Sequence, residues 1–405
     1  MSNNATPSPY KIIGPSVSLD GLHVYQTTNP ATLEGLWRAF EESGHCTLYQ
    51  TYGWCEAWLK TVGQASGAKP VVIVGLCQFG TPVFLLPLQL RRVMGLGVLE
   101  WLGSSNNGYG YGILARDFVR TAASGWFAAN WHHILASIQG VDAVNLRNIP
   151  SAMFGHRGVL LSVTNIVAAD ASHALDFRGT VEELIHEKRG NAARRSMRKR
   201  EDRLAAMGDV NFTALAGPDL LRAALADVLA DQQARLKNIG IHQPFSDVER
   251  RFIHALADAH WGQKPLLRLS QLHIGGERAL SVLGGVCDGT YWALISAMVP
   301  GRFLKHSPGE IGLRRLFESC VAENLQTFDF SAGDSSYKST WSDRIIERRH
   351  SIAARRLGAV PLVLAMLAAE AAKREIKSRP VVFAAFKAVR TLLGNVRSKL
   401  FPAAG

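Results

Sequence analysis

Two stretches of the chain, about two hundred residues apart, combine apolar runs with short glycine turns. The first runs over 71–77, turns at 78–81 and returns over 82–88. The second runs over 266–274, turns at Gly275-Gly276, returns over 279–287, turns again at Asp288-Gly289 and continues over 291–299. β-rich runs joined by glycine turns are typical of antiparallel hairpins. Because the arrangement occurs twice, the pattern suggests a duplicated domain.

Runs with helical periodicity precede each set of strands, at 52–62 and then at 220–236 and 248–260. Thr180 and Glu183 have the spacing of a capping box, which predicts a helix that starts there and continues through the basic segment 188–203. Together the elements predict an α+β protein with tandem domains, each a mixed, mostly antiparallel sheet flanked by helices.

The length of 405 residues exceeds one ordinary domain. We expect a loose segment at 1–20, a first domain at 21–172, a second domain at 173–354 and an appended tail at 355–405. The tail consists of two Ala-rich, basic helical patterns, 357–377 and 381–400, on either side of Pro380.

Composition narrows the class of protein. With 47% hydrophobic and 19% charged residues, the chain is expected to fold around hydrophobic cores and not to be disordered. We expect a cytoplasmic protein, because the chain begins without a secretory signal and its longest apolar run, 357–369, is too short to span a bilayer. The five scattered cysteines form no CxxC and there is no HExxH, so neither disulfides nor a metal site is expected.

The net charge of +12 suits nucleic acid, an anionic membrane surface or a phosphate-bearing cofactor. Eight basic residues between 188 and 203 could contact nucleic acid or lipid, or could form a solvated helix face partly paired with Glu187, Glu201 and Asp202. No aromatic side chains alternate with these basic residues, and no nucleic-acid-binding motif accompanies them. Specific nucleic-acid binding is therefore not expected. The basic tail predicts peripheral contact at the inner face of the membrane.

A short apolar strand at 328–330 leads directly into a polar loop. Within thirteen residues that loop brings together Asp329, Asp334, Tyr337, Lys338 and Trp341. Polar groups on a loop at the carboxyl end of a strand often carry ligand chemistry, although a surface loop with an aromatic anchor has the same composition.

The segment 305–315 carries the signals of a helix start. Ser307 suits the N-cap, Pro308 the first helical position, and Glu310 completes a capping box. A helix that starts after a strand can also bind phosphate through its exposed amides, and Gly309 and Gly312 would allow close approach. A Glu310 carboxylate facing the site would repel phosphate, so both interpretations stay open. The Gly-rich segment 106–112 is either a flexible loop or, through its two tyrosines, a substrate contact.

Several short segments of the chain occur in the same order as in a known protein family. The segments that carry the resemblance are the aromatic helix at 49–58, Leu86-Pro87-Leu88, the run 99–103, Tyr109-Gly110, the Arg-rich helix with Asn191, Ser307-Pro308-Gly309, and 329–341. Over residues 45–350 the sequence resembles the BioF2-like, CelD-type acetyltransferase domains of the GNAT superfamily, which are related to the FemAB peptidyltransferases.

The resemblance implies an acyltransferase that moves an acetyl or other acyl group from acyl-CoA to an amine or hydroxyl of a small molecule or of a saccharide or lipid-linked precursor. It also suggests a link to cell-envelope or exopolysaccharide synthesis. Aminoacyl-tRNA is the alternative donor, as in the FemAB branch, and a non-catalytic GNAT-like binding protein at membrane or polysaccharide machinery is the alternative class. The implied sites are catalytic Asp329, Asp334, Tyr337 and Lys338; donor-binding His306, Ser307, Pro308, Gly309, Gly312 and Arg314; and substrate-binding Tyr109, Tyr111, Trp292 and Trp341. Asp329 or Asp334 would be the base, and Tyr337 the acid.

Overall fold

The computed structural model describes residues 16–215, 217–237, 245–333, 335–379 and 381–385. The chain forms two compact units. The first unit comprises Met1–Ala171, Trp261–Lys264 and Ile346–Arg374, and the second comprises Ser172–His260, Pro265–Ile345 and Glu375–Gly405. Part of the predicted tail therefore belongs to the first unit.

The strands alternate with helices in both units. The strands are β1 (Ser16–Leu19), β2 (Leu22–Thr27), β3 (Lys69–Cys77), β4 (Pro82–Val93), β5 (Leu96–Trp101), β6 (Ile113–Leu114), β7 (Ala143–Pro150), β8 (Ala152–Met153), β9 (His156–Arg157), β10 (Ile166–Asp176), β11 (Val210–Leu215), β12 (His260–Trp261), β13 (Lys264–Pro265), β14 (Leu267–Ile274), β15 (Glu277–Cys287), β16 (Thr290–Met298), β17 (Thr327–Ala332) and β18 (Arg344–Ala354). The α-helices are α1 (Glu34–Ser43), α2 (Tyr52–Trp58), α3 (Gln64–Ser66), α4 (Arg116–Thr121), α5 (Ala123–Ser137), α6 (Val181–Lys188), α7 (Asn191–Ala205), α8 (Pro218–Lys237), α9 (Asp247–Ala255), α10 (Pro308–Ala322), α11 (Ser336–Trp341) and α12 (Val360–Ser378).

The two units share one sheet plan. In the first, β2, β3, β4 and β5 pair antiparallel, β5 pairs parallel with β7, and β7 pairs antiparallel with β18. In the second, β14, β15 and β16 pair antiparallel, β16 pairs parallel with β17, and β17 pairs antiparallel with β10. Helices connect each parallel pair, α4 and α5 in the first unit and α10 in the second. The predicted α+β fold of tandem, mostly antiparallel units is confirmed.

The hydrophobic core of the second unit packs its sheet against α6, α7 and α10. Leu184, Met197, Ile311 and Phe317 from these helices are buried with Phe328 of β17. The burial of such side chains is the largest favourable contribution to folding, at about 25 cal/mol per Å² of apolar surface. The same core fixes α10 beside the end of the parallel strand pair.

The basic segment forms two helices, which corrects the prediction of one continuous helix. The Thr180 capping box is present at the start of α6, but α6 ends at Lys188. Arg189 and Gly190 are extended, and α7 begins at Asn191. Glycine is a poor helix former, which favours a break at this position.

The start of the predicted tail is part of the first unit's core. Ala359 and Val363 are buried in one cluster with Val98, Ala143 and Ile352. The prediction treats residues 355–405 as a tail outside both domain cores, whereas Ala359 and Val363 are part of the first unit's core. Most of the second predicted tail helix, 381–400, lies outside the described residues. None of the described helices combines the length and the apolar character needed to cross a bilayer.

Candidate functional site

The candidate site is a cavity in the second unit, at the point where β16 and β17 diverge. The two parallel strands pair at Thr290–Thr327, Tyr291–Phe328 and Trp292–Asp329. Beyond that register a cavity of about 740 Å³ opens, within the size range of ligand pockets. Its lining comes from β16 and β17, from the first turn of α10, from α11 and from the last turns of α8. Five elements therefore converge on one concave site.

A bulge in β16 faces this cavity. Leu283 of β15 pairs with Ile295, and Gly284 pairs with Ala293, so Leu294 has no opposite residue in the register. A bulge leaves the extra residue outside the regular ladder and bends the strand. Leu294 and its neighbours line the cavity, so this backbone can offer hydrogen bonds to a ligand.

A second irregularity lies in β17. Ala174 of β10 pairs with Asp329 and Ser172 with Ala332, so Phe330 and Ser331 together face His173. Ser331 has a φ of 60°, an uncommon conformation for a residue other than glycine. Two bonds support it: the Ser331 N–H donates to Asp329 Oδ1 at 2.7 Å, and the Ser331 hydroxyl donates to the Ala293 carbonyl at 2.6 Å.

The N-terminus of α10 differs from the predicted capping box. Pro308 is the first helical residue, as predicted, but Ser307 has φ 54° and its side chain forms no capping bond. The left-handed conformation of Ser307 turns the chain from the preceding 3-10 turn into the helix. Ser307 and Gly309 both line the cavity, so the positive end of the helix dipole lies beside it.

The Glu310 carboxylate is paired with cations instead of with the helix cap. It accepts hydrogen bonds from Arg189 and, at 2.8 Å, from Arg200. Two guanidinium groups thus neutralise Glu310, the one acidic side chain among the described residues that line the cavity. The repulsion that the sequence predicts between Glu310 and a phosphate is therefore offset.

Helix α11, which follows β17, supplies an aromatic and cationic wall. Trp341 is buried, and the Arg189 guanidinium lies 5.3 Å from the centre of its ring. Lys338 is buried as well, and its ammonium donates to the Ala332 carbonyl at 2.6 Å and to the Ser331 carbonyl at 3.3 Å. These bonds hold α11 against the end of β17.

Tyr337 is the cavity-lining phenol. Tyr337 is 46% exposed, and partial desolvation raises the pKa of its phenol above the usual value, while the positive charge of Arg235 offsets part of that rise. The Tyr337 hydroxyl is therefore protonated at neutral pH and can donate a proton. Arg235 itself lines the cavity and donates to the Ser296 carbonyl of β16 at 3.3 Å.

The cavity brings together some of the sequence-predicted residues and leaves others out. Ser307, Gly309, Tyr337, Lys338 and Trp341 line it. Asp334 lies outside the described residues, and the remaining predicted residues of the second unit do not line it; these are His306, Pro308, Gly312, Arg314, Trp292 and Asp329.

The predicted residues outside the cavity have structural contacts. A Cβ on Gly312 would lie 2.1 Å from Leu280 Cδ2, so this glycine permits helix-to-sheet packing. Arg314 forms ion pairs with Glu182, Glu201 and Glu318. Trp292, which the sequence predicts to bind substrate, is buried and donates to the Cys287 carbonyl at 3.4 Å.

Tyr109 and Tyr111, which the sequence predicts to bind substrate, are buried in the first unit. Their loop occupies the place where β5 and β7 diverge. The Gly110 N–H donates to the Asn148 carbonyl of β7, and a Cβ on Gly110 would lie 2.1 Å from Trp101 Nε1 and 2.2 Å from the Arg147 carbonyl oxygen. The loop thus fills the first unit's counterpart of the cavity.

Asp329 faces away from the cavity, because the alternate residues Phe328 and Phe330 line it. The carboxylate is buried and supports the Ser331 conformation.

We expect Asp329→Asn to keep an oxygen for that bond and to retain most activity, whereas Asp329→Ala lowers the melting temperature and the turnover together. Activity assays and thermal melts of both variants provide the check. A loss of turnover by orders of magnitude in Asp329→Asn, at unchanged melting temperature, would restore Asp329 as a base.

Sequence reasoning missed Gln232 and Arg235 on α8 as cavity-lining residues, and gave Arg189 no role beyond the basic segment. The position of Arg189 could have been inferred from the sequence, since it stands next to Gly190 at the end of a well-capped helix. The position of Arg235 could not, because its place at the cavity depends on how α8 packs against β16. Among the described residues no cluster of three or more His, Cys, Asp or Glu side chains could hold a metal ion.

A family model and several solved structures are similar to parts of this chain. Residues 191–339 match the family model described as an acetyltransferase (GNAT) domain. No curated protein sequence matches the chain. Among solved structures, FemX is 12% identical with a TM-score of 0.55, over 79% of this chain and 96% of FemX. A tandem GNAT protein from the clavulanic acid biosynthesis pathway is 11% identical with a TM-score of 0.44, over 82% of this chain and 98% of that protein.

The matched range begins at Asn191, the first residue of α7, and ends inside α11, so it includes most of the cavity's lining. The likeness to FemX is one of fold. The GNAT resemblance predicted from the sequence is confirmed over residues 191–339. Residues 191–339 therefore form a GNAT-type acetyltransferase domain, in a chain whose fold is shared with FemX.

Proposed function

We propose that the second unit transfers an acyl group, in the simplest case acetyl, from acyl-CoA to an amine or hydroxyl of an acceptor. The observation that carries this proposal is the cavity at the divergence of β16 and β17, because it joins an irregular strand edge, a helix N-terminus and a protonated phenol in one site. The GNAT match over the same residues supports the reaction class.

The cavity suits the parts of an acyl-CoA donor. An extended pantetheine arm can bond to the backbone beside the Leu294 bulge. The pyrophosphate would lie at the start of α10, where a Cβ on Gly309 would stand 3.1 Å from Met298 Sδ and narrow the cavity. Arg189 and Lys338 add positive charge to the lining, and Trp341 forms one wall.

The proposed reaction is a direct attack within a ternary complex. The acceptor nitrogen or oxygen forms a bond to the thioester carbonyl carbon, and the carbon–sulfur bond breaks. The departing thiolate takes its proton from the Tyr337 hydroxyl. The acceptor's proton passes to a base, for which Asp334 stays the proposed residue. Lys338 and Asp329 act as positioning residues that hold the loop and the strand end.

The acceptor class that we propose follows the family resemblance: a small molecule, or a saccharide or lipid-linked precursor of the cell envelope or an exopolysaccharide. A FemAB-like transfer from aminoacyl-tRNA is the second candidate. The exposed cations Arg195, Arg198, Lys199 and Arg203 on α7 favour it, since they present positive charge on the surface of the unit that carries the cavity.

Ligand-dependent thermal stability tests the donor assignment. Acetyl-CoA at a hundred times its dissociation constant is expected to stabilise the full chain by about 2.7 kcal/mol, because it binds only the native state. ATP at the same concentration is the matched polyanion control. Stabilisation by aminoacyl-tRNA alone would move the function to the second candidate, and no stabilisation by either donor would indicate a non-catalytic binding protein.

A further inference from the structure

The outward face of α12 in the first unit is apolar and exposed. We propose that this face binds the surface of an anionic lipid bilayer, with Met94, Leu357 and Leu364 entering the headgroup layer. The proposal goes beyond the acyl transfer assigned to the second unit and does not depend on it.

The rotation of α12 is fixed by buried groups on its inner side. Val363 and Glu370, seven residues apart, are both buried. Glu370 pairs with Arg147 at 2.9 Å and lies 3.4 Å from His350 and 3.9 Å from the Lys373 ammonium, and it also accepts a hydrogen bond from the Ala169 N–H. Because this polar network and the cluster around Val363 hold one side of the helix, the opposite side must face outward.

The outward side consists of apolar residues. From 357 to 369 the sequence contains no charged residue. Leu357 is 90% exposed and Leu364 is 59% exposed, and Val360 between them is also exposed. Pro361, Ala365, Ala368 and Ala369 are exposed too, so no polar stripe interrupts this face. A solvent-facing helix surface ordinarily carries charged or polar side chains.

A turn from the sheet extends the same surface. Met94 stands at the tip of the turn between β4 and β5 and is 89% exposed, with φ 50°. The neighbouring residues Val93 and Leu96 pack on the same cluster as Leu362 and Met366 of α12. The turn that carries Met94 therefore packs against the same cluster as α12.

Cations flank the apolar surface. Arg355 and Arg356 precede it and are exposed, and Arg92 at the β4–β5 turn donates to the Gly95 carbonyl. Lys373 and Arg374 follow it at the other end of the helix. Apolar residues between basic residues are the signature of an interfacial helix, in which the leucines enter the acyl boundary and the cations bind anionic headgroups.

The charges favour a membrane over a second copy of the chain. A symmetric dimer through this face would place α12 against α12 of the partner. Since both ends of the apolar surface are basic, a parallel or an antiparallel pair would bring like charges together. An anionic bilayer complements both ends at once, and the net charge of +12 acts in the same direction.

Co-sedimentation of the full chain with vesicles tests the proposal. We expect binding to vesicles of phosphatidylcholine and phosphatidylglycerol, little binding to phosphatidylcholine alone, and weaker binding at high salt. The triple variant Met94→Ser, Leu357→Ser, Leu364→Ser should bind about tenfold more weakly, since three insertions are lost. All three side chains are exposed, so thermal melting should be unchanged.

Phe79→Ser is the matched control. Phe79 is 53% exposed at the turn before β4, and twelve-residue β4 separates that turn from Met94. This control should bind vesicles as the unsubstituted chain does. The proposal is overturned if the unsubstituted chain does not bind anionic vesicles, if the triple variant binds them equally well, or if sedimentation shows that the face joins two copies instead.

Discussion

Replacing Tyr337 by phenylalanine is expected to lower the acyl-transfer rate by about 10²- to 10⁴-fold, the usual range for the loss of a general acid. The phenol lines the cavity, and burial keeps its pKa above the usual value, so the hydroxyl holds its proton at neutral pH. Its loss leaves the thiolate without a proton donor. Acetyl-CoA affinity should change little, because the ring and its edge-on contact with Phe330 remain.

Thiol release from acetyl-CoA measures the rate, with water as acceptor and then with an acceptor found by a product screen. The working form of Tyr337 is protonated, so activity should persist at neutral and mildly alkaline pH and fall only as pH rises through the raised pKa. The variant should lack that alkaline fall. Tyr25→Phe on β2 of the first unit is the control. Equal rates for both variants would remove Tyr337 from the mechanism.

The hairpins and turn glycines were predictable because they are encoded locally. The runs around Gly275-Gly276 and Asp288-Gly289 form β14, β15 and β16 within a residue or two of the predicted bounds. The order of the segments from the aromatic helix to Trp341 indicated the GNAT family. That inference rests on many short local patterns instead of on one specific motif.

What the sequence could not provide is the direction in which side chains face. Asp329 and Tyr337 stand eight residues apart in one polar segment, yet β17 turns Asp329 away from the cavity, whereas α11 brings Tyr337 to it. The bulge at Phe330 and Ser331 depends on pairing with β10, more than 150 residues earlier. Likewise, whether Tyr109 contacts substrate depends on the divergence of β5 from β7, which only the tertiary structure shows.

The duplicated plan explains why one unit is expected to carry the chemistry. Both units place a parallel strand pair at the centre, and in both the second strand of that pair has a residue with positive φ, Asn148 in β7 and Ser331 in β17. In the first unit the loop containing Gly110 bonds to Asn148 and fills the divergence. In the second unit the corresponding space is the cavity.

Gly309→Val is expected to weaken acetyl-CoA binding by at least about tenfold, which corresponds to about 1.4 kcal/mol. Gly309 lines the cavity in the first turn of α10, and its Cβ position points towards Met298, another cavity residue. A valine there would occupy the space that the proposed pyrophosphate needs. The contact at 3.1 Å is with the flexible thioether of Met298, so the fold should tolerate the change.

Calorimetric titration with CoA and acetyl-CoA measures the effect, and a thermal melt without ligand checks the fold. Gly125→Val is the matched control, because a Cβ on Gly125 of α5 meets nothing within 4 Å. It should leave CoA affinity unchanged. If Gly309→Val binds CoA as tightly as the unsubstituted chain while Tyr337→Phe is inactive, the acyl end of the site is correctly assigned and the phosphate end lies elsewhere. Loss of binding with an unchanged melt would instead place the donor's phosphates at the start of α10.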